Sequence, residues 1–169
     1  MRVFQLSLIT VFFVVMALVL LGVNSYWVTY QKPEPQPIAF PHDKHAGKLN
    51  IPCLQCHVYA DKGKFATVPA VKICIDCHIT GGVKSPEIDK LMAYWEKKEP
   101  IPWVRIHKLQ PFVYFSHKRH VKKGIDCAVC HGNLKVVKTV KKVRTFQMGF
   151  CVSCHRQNAG PQDCWTCHK

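Results

Sequence analysis

The sequence predicts a mostly loop and short-helix domain with no ordinary apolar core, carried behind one N-terminal transmembrane helix. Three observations lead there. No charged side chain occurs between Val3 and Gln31. Five copies of Cys-x-x-Cys-His use all ten cysteines. Those copies lie within residues 40–169, 130 residues in all, or 26 per copy. So little polypeptide per motif cannot bury a sizeable core of its own.

The first element is the apolar segment, 1–31. Its densest part, Leu8 to Val23, holds Val11, Phe12, Phe13, Val14, Val15, Leu18, Val19, Leu20 and Leu21. Extended to Val28, it reaches the roughly 20 residues a helix needs to cross a bilayer. Tyr26, Trp27 and Tyr30 follow, as an aromatic belt at the water interface requires. A cleaved signal peptide with Arg2 as its basic end is the alternative. The length of the segment, and the lack of a clear Ala-x-Ala site after it, favour an uncleaved anchor. A buried globular helix is disfavoured because no face of the segment is polar. Residues 32–39 come next. Lys32-Pro33-Glu34-Pro35-Gln36-Pro37 reads as a stiff, extended spacer.

The five motifs are Cys53-x-x-Cys56-His57, Cys74-x-x-Cys77-His78, Cys127-x-x-Cys130-His131, Cys151-x-x-Cys154-His155 and Cys164-x-x-Cys167-His168. This is the attachment signature of c-type haem: two thioethers to the vinyl groups and an adjacent histidine on the iron. Zinc ribbons pair Cys-x-x-Cys but need no histidine after every pair. A disulfide framework gives no reason for uniform two-residue spacing. A thioredoxin-like pair is normally single and set in a βαβ pattern, which is not visible here. The expectation is five covalent haems in residues 40–169, stacked as the core with chain wrapped around them: a multihaem c-type cytochrome. Haem is attached on the outer side of the bacterial inner membrane. That puts the haem domain on the periplasmic or extracytoplasmic side, and long translocated domains escape the positive-inside rule.

An internal repeat organises this domain. Phe40-x-His42-x-x-His45 precedes Cys53, and Phe115-x-His117-x-x-His120 precedes Cys127. Each is followed by a Gly-containing loop and two motifs, giving haem modules at about 40–81 and 115–169 with the fifth motif terminal. Histidines at i and i+3 share one face of a helical turn. They can reach the irons of two different haems and hold those haems close.

A helical connector, 85–110, joins the modules. Ser85 and Pro86 form a helix start. Ile88, Leu91, Met92 and Trp95 then make an apolar stripe, and Pro100 and Pro102 end it. His107 follows on an extended segment. With Met148, just before Cys151, it completes six distal candidates for five irons: His42, His45, His107, His117, His120 and Met148. A thioether axial ligand would raise a haem potential relative to bis-histidine ligation. One candidate must be spare, and the sequence leaves open which.

The chain has a formal net charge of +14. Roughly ten propionates on five haems would offset much of it, which makes nucleic acid a poor partner. The lysines suit propionates, anionic lipid or an acidic protein. The basic stretches Lys122–Lys123 and Lys138–Arg144 also read as solvated faces.

The His-x-x-His clips resemble those of the small c3 and c7 cytochromes. Taken in order, the anchor, the run from Pro100 to His107, Phe112 to His120, Met148 to Arg156 and the closing Cys164–His168 resemble the pentahaem cytochrome subunit of alternative complex III. The resemblance covers nearly the whole chain. It implies a membrane complex that oxidises quinol in polytopic membrane subunits beside an iron–sulfur subunit. The pentahaem subunit then relays electrons towards a monohaem cytochrome, a soluble carrier or an oxidase. The nearest rival is the multihaem subunit of the quinone reductase complex of sulfate reducers. It runs electrons the other way and carries six haems where five motifs stand here.

With two protein ligands on every iron, no site is open for substrate, and the chain is expected to be a relay without catalytic residues. A multihaem nitrite or tetrathionate reductase would need an open haem, often with lysine or cysteine in place of the motif histidine. A membrane-anchored quinol dehydrogenase acting alone with a soluble reductase is a third reading.

Overall fold

The structure, a computed structural model, describes residues 2–168. It separates into one unit ending at Lys32 and a second beginning at Pro33. The first is a single helix, α1 (Arg2–Tyr30). Its apolar part, Phe4–Tyr30, has 27 residues, and none of its most apolar 18-residue window is buried. At about 1.5 Å per residue it is roughly 40 Å long, more than a hydrocarbon core of about 30 Å. It is a candidate membrane span or signal segment. Near its C-terminal end the rings of Trp27 and Tyr30 stack at 5.5 Å.

The second unit is loops and short helices. After a π-helical turn (Asp43–Lys48) come α2 (Cys53–Cys56), α3 (Val71–His78), α4 (Pro86–Glu96), α5 (His117–Lys122) and α6 (Cys127–His131). A 3-10 turn (Leu134–Val136), α7 (Met148–Gln157) and α8 (Cys164–Cys167) complete it. No strand is formed among the described residues; Val113 and His168 make one isolated antiparallel bridge.

Each Cys-x-x-Cys-His lies in a helical turn, for a local reason. A turn of helix brings residues i and i+3 to one side. Both thiols of a motif can then meet one flat group, and in α2 and α8 the histidine caps the turn. The N–H of His57 donates to the Cys53 carbonyl at 2.9 Å, and that of His168 to the Cys164 carbonyl at 2.9 Å. Two of these turns start on an aspartate. Asp126 accepts from the Ala128 N–H at 2.6 Å, and Asp163 from the Thr166 N–H at 2.9 Å.

Ser85 caps α4, accepting from the Ile88 N–H at 3.3 Å, with Pro86 in the first turn. The helix stops at Glu96, short of Pro100, because Lys98 turns into the left-handed region (φ 57°) and closes the end. Leu91 from this helix packs with Ile38, Ile75 and Ile101 in a cluster of buried side chains; Ile88 and Met92 flank it. Trp95, at the end of the stripe, stays 37% exposed. Apart from Ala60, the hydrophobic residues buried among those described are these four. A unit that depended on its own side chains would bury far more.

The segment read as a stiff, extended spacer is docked at its far end. The Gln36 side chain accepts from the Val104 N–H at 3.0 Å and donates to the Val104 carbonyl at 3.1 Å. Ile38 is buried, and the Ala39 N–H donates to Glu87 at 2.6 Å. Proline had suggested stiffness; the anchoring comes from the residues between and after the prolines.

Candidate functional site

The ten cysteine thiols are free and half-buried or exposed. Among the described residues no three His, Cys, Asp or Glu side chains converge on a point where a bare metal ion could sit. The histidines are arranged in pairs instead.

Three pairs join a clip histidine to a motif histidine. His45 faces His78 with ring centres 6.0 Å apart. His117 faces His131 at 6.4 Å with nearly parallel rings, and His120 faces His155 at 6.0 Å. With metal–nitrogen bonds of about 2.0–2.1 Å and roughly 1.1 Å from nitrogen to ring centre, trans imidazoles on one metal have centres about 6.3 Å apart. The three pairs match that span. The macrocycle of a haem supplies the equatorial ligands, so two axial imidazoles and two rim thiols are what the protein must provide. The residues present fit the group.

The tautomers fit as well. A carbonyl oxygen only accepts, so a ring nitrogen bonded to one must carry the hydrogen. Nδ1 of His45 donates to Pro41 O at 2.9 Å and that of His120 to Ser116 O at 2.9 Å. Nδ1 of His117 donates to Lys64 O at 3.1 Å, of His57 to Thr67 O at 2.8 Å, and of His155 to Pro161 O at 2.5 Å. In all five, Nε2 is left with its lone pair free for a metal. Burial pushes His42 down to about 4, helped by His57 and His45. Burial likewise pushes His131 to about 4, with His107, His117 and His57 adding to it. Both rings are neutral at pH 7 and able to ligate.

The repeat is reproduced in three dimensions. Phe40 stacks on His45 at 4.3 Å and meets His42 edge-on at 4.8 Å. Phe115 packs on His120 at 4.4 Å and meets His117 edge-on at 4.8 Å. The phenylalanine fixes the planes of both rings in its clip.

The other candidates are placed differently. His42 lies close enough to His57 to feel its charge, and its Nδ1 is buried without a partner. His107 meets His131 edge-on at 4.6 Å, too close for a metal between them, and packs on Phe146 at 5.4 Å. Its Nε2 is buried without a partner. Met148 opens α7 and is 68% exposed. The ring against His168 is that of Phe112, at 5.7 Å.

Several residues that hold these histidines are not visible as motifs. Thr67, whose carbonyl orients His57, has φ 60°, and Phe146, packed on His107 and His131, has φ 51°. A β-branched residue in that region is strained, at a cost of about 1–3 kcal/mol, and such strain gathers at functional sites. Pro41 and Ser116 could have been found: each is four residues before the clip histidine it holds. Lys64, Thr67 and Pro161 act through backbone atoms, and no residue type announces that.

The comparisons agree with this geometry. Residues 113–169 match the family model described as cytochrome c7 and related cytochrome c. The chain is 34% identical over 56 residues to cytochrome c3 of Desulfuromonas acetoxidans, covering 33% of this chain and 79% of that protein. The chain belongs to the c7/c3-type multihaem cytochromes c. It is also 28% identical over 164 residues to the multihaem cytochrome c subunit of menaquinone reductase from Nitratidesulfovibrio vulgaris, covering 79% of this chain and 77% of that subunit. As a cytochrome of this type, it carries covalently bound haem c.

Proposed function

We propose that this cytochrome is the electron-relay subunit of a quinone-linked membrane complex, with five haems attached at its five motifs. The observation that carries the proposal is the set of closed histidine pairs, His45–His78, His117–His131 and His120–His155, at 6.0–6.4 Å. When bound, c-type haem supplies one-electron transfer. The cysteine thiols and paired histidines would hold it, and Nδ1–H···O=C bonds keep Nε2 of His45, His117, His120 and His155 unprotonated. A centre with both axial positions filled has no place for substrate. With the remaining two motifs read as closed in the same way, substrate chemistry belongs to partner subunits and this chain is a relay rather than an enzyme.

The proposed setting is the bacterial inner membrane, with α1 as a single-pass anchor and the haem unit on the extracytoplasmic side. The partners are polytopic quinol-binding subunits, an iron–sulfur subunit, and a monohaem cytochrome or oxidase as acceptor, as in alternative complex III. A second reading has a specific observation behind it. The similarity to the menaquinone reductase subunit spans most of both chains and favours electrons running from a soluble cytochrome to the quinone.

Purification in mild detergent tests the reading. Co-purification with polytopic subunits and five haems per chain by pyridine haemochrome is expected; a lone chain or a stoichiometric CO-binding haem overturns it. Mixing the complex with a menaquinol analogue, and separately with a reduced soluble cytochrome, distinguishes the directions by which donor reduces the haems.

A further inference from the structure

The two modules are not laid end to end. Each clip is bonded to the loop that follows the other module's first motif. The N–H groups of His42 and Asp43 donate to the carbonyls of Lys138 and Val137, at 3.3 and 2.9 Å. Those of His117 and Lys118 donate to the carbonyls of Lys64 and Gly63, at 3.1 and 3.0 Å. The contacts are reciprocal and fall at equivalent positions of the repeat. This is how two copies related by a two-fold axis meet. Gly47, in the turn after the first clip, lies so close to the Lys135 carbonyl that a Cβ there would strike it.

Equivalent groups of the two first motifs should then meet at the pseudo-axis, and they do. The Cys127 thiol, raised chiefly by burial, is raised further by Cys53, to which it is hydrogen-bonded. His57 acts on both His117 and His131. Away from the axis, Cys56 acts on Cys74, and Cys77 on Cys56, across the first and second motifs. Cys130 feels Cys154 and Cys151, and Cys151 feels Cys167. The clips show the same adjacency: His42 and His45 share one turn beside His57 and His78, and His117 and His120 share α5 beside His131 and His155.

Resting on the reading that every motif carries a haem, we infer that the haems run in the spatial order His78–His57–His131–His155–His168. The first two are inverted relative to the sequence. The first and third motifs meet at the pseudo-two-fold axis. The ends of the relay, where partners must exchange electrons with it, are the second motif and the last. By equivalence with His117, His42 serves the iron of His57, and its neighbour His45 serves that of His78.

The test uses the full-length holoprotein in mild detergent. His45→Met and His42→Met each raise the potential of one haem, because methionine ligation favours the reduced iron. In a redox titration that haem is reduced while the others are still oxidised and paramagnetic. Low-spin reduced iron has no spin, so the EPR signals of its direct neighbours change as their magnetic coupling is lost. The expected result is one altered neighbour for His45→Met and two for His42→Met. Sequential order predicts the reverse, two and one, and that outcome overturns the inference. A variant that loses its haem removes the same spin and gives the same count. Gly47→Ala is expected to alter the couplings around His57 and His131 and leave those of His168 unchanged; no effect at His57 and His131 overturns the interlock. No quinone or partner enters the measurement. A reversed pattern with five haems sinks the order alone, whereas fewer than five haems in the unaltered protein sinks the underlying reading too.

Discussion

Leu91→Ala probes how the small side-chain cluster supports a haem-bearing turn. Leu91 is 5% exposed and packs with Ile38, Ile75 and Ile101. Ile75, 3% exposed, lies between Cys74 and Cys77, so the cluster backs directly onto the second motif. Truncation removes three carbons, worth about 2.4 kcal/mol at roughly 0.8 kcal/mol per buried methylene. An unfilled cavity adds to this, and the total comes to about 3–4 kcal/mol. For a unit of this size the melting temperature should fall by about 10 °C. Thermal unfolding of the holoprotein, followed by far-UV circular dichroism and the Soret band, measures it. Val104→Ala, at a 42% exposed position, is the control and should change stability by less than about 0.5 kcal/mol. The low-spin haem spectrum of Leu91→Ala at low temperature should be unchanged. A shift below about 3 °C would refute the reasoning, because haem contacts alone would then hold α3 and α4 together.

His45→Ala should convert one haem to a high-spin form that binds about one CO per chain, whereas His107→Ala should leave all haems low-spin. A high-spin haem in His107→Ala would instead assign His107 to an iron. Gly160→Ala places a Cβ 2.8 Å from Cγ of His155, so it should displace that ring and destabilise the fold by about 1–3 kcal/mol. EPR should show one altered low-spin signal, and an unaltered spectrum would mean that Pro161 does not position His155. The Lys90 ammonium, then the Ala39 N–H, hold the Glu87 carboxyl below its usual range. A depressed carboxyl stabilises the fold above its unfolded-state pKa, and that contribution is lost as pH falls through the folded one. Glu87→Gln should therefore lower the melting temperature at neutral pH and match the parent in acid; a constant difference across pH would rule out this linkage.

The sequence by itself determined the haem chemistry, because covalent attachment demands fixed residue types at fixed local spacing. Five Cys-x-x-Cys-His motifs, two Phe-x-His-x-x-His clips and the Ser85-capped helix are all short-range patterns, and each forms the local element its spacing implies. Gln36, Lys64, Thr67 and Pro161 were not legible. Their roles lie in amide or backbone groups whose partners are distant in the chain or set by an unusual φ angle. The pairing of distal with motif histidines lay between the two cases: spacing offered six candidates, and only tertiary structure brought His45, His117 and His120 opposite particular motif rings. The interlock of the modules was decided by tertiary structure alone. Backbone hydrogen bonds between residues such as His42 and Lys138 leave no trace in side-chain identity, so a linear order of motifs does not reveal the spatial order of the haems.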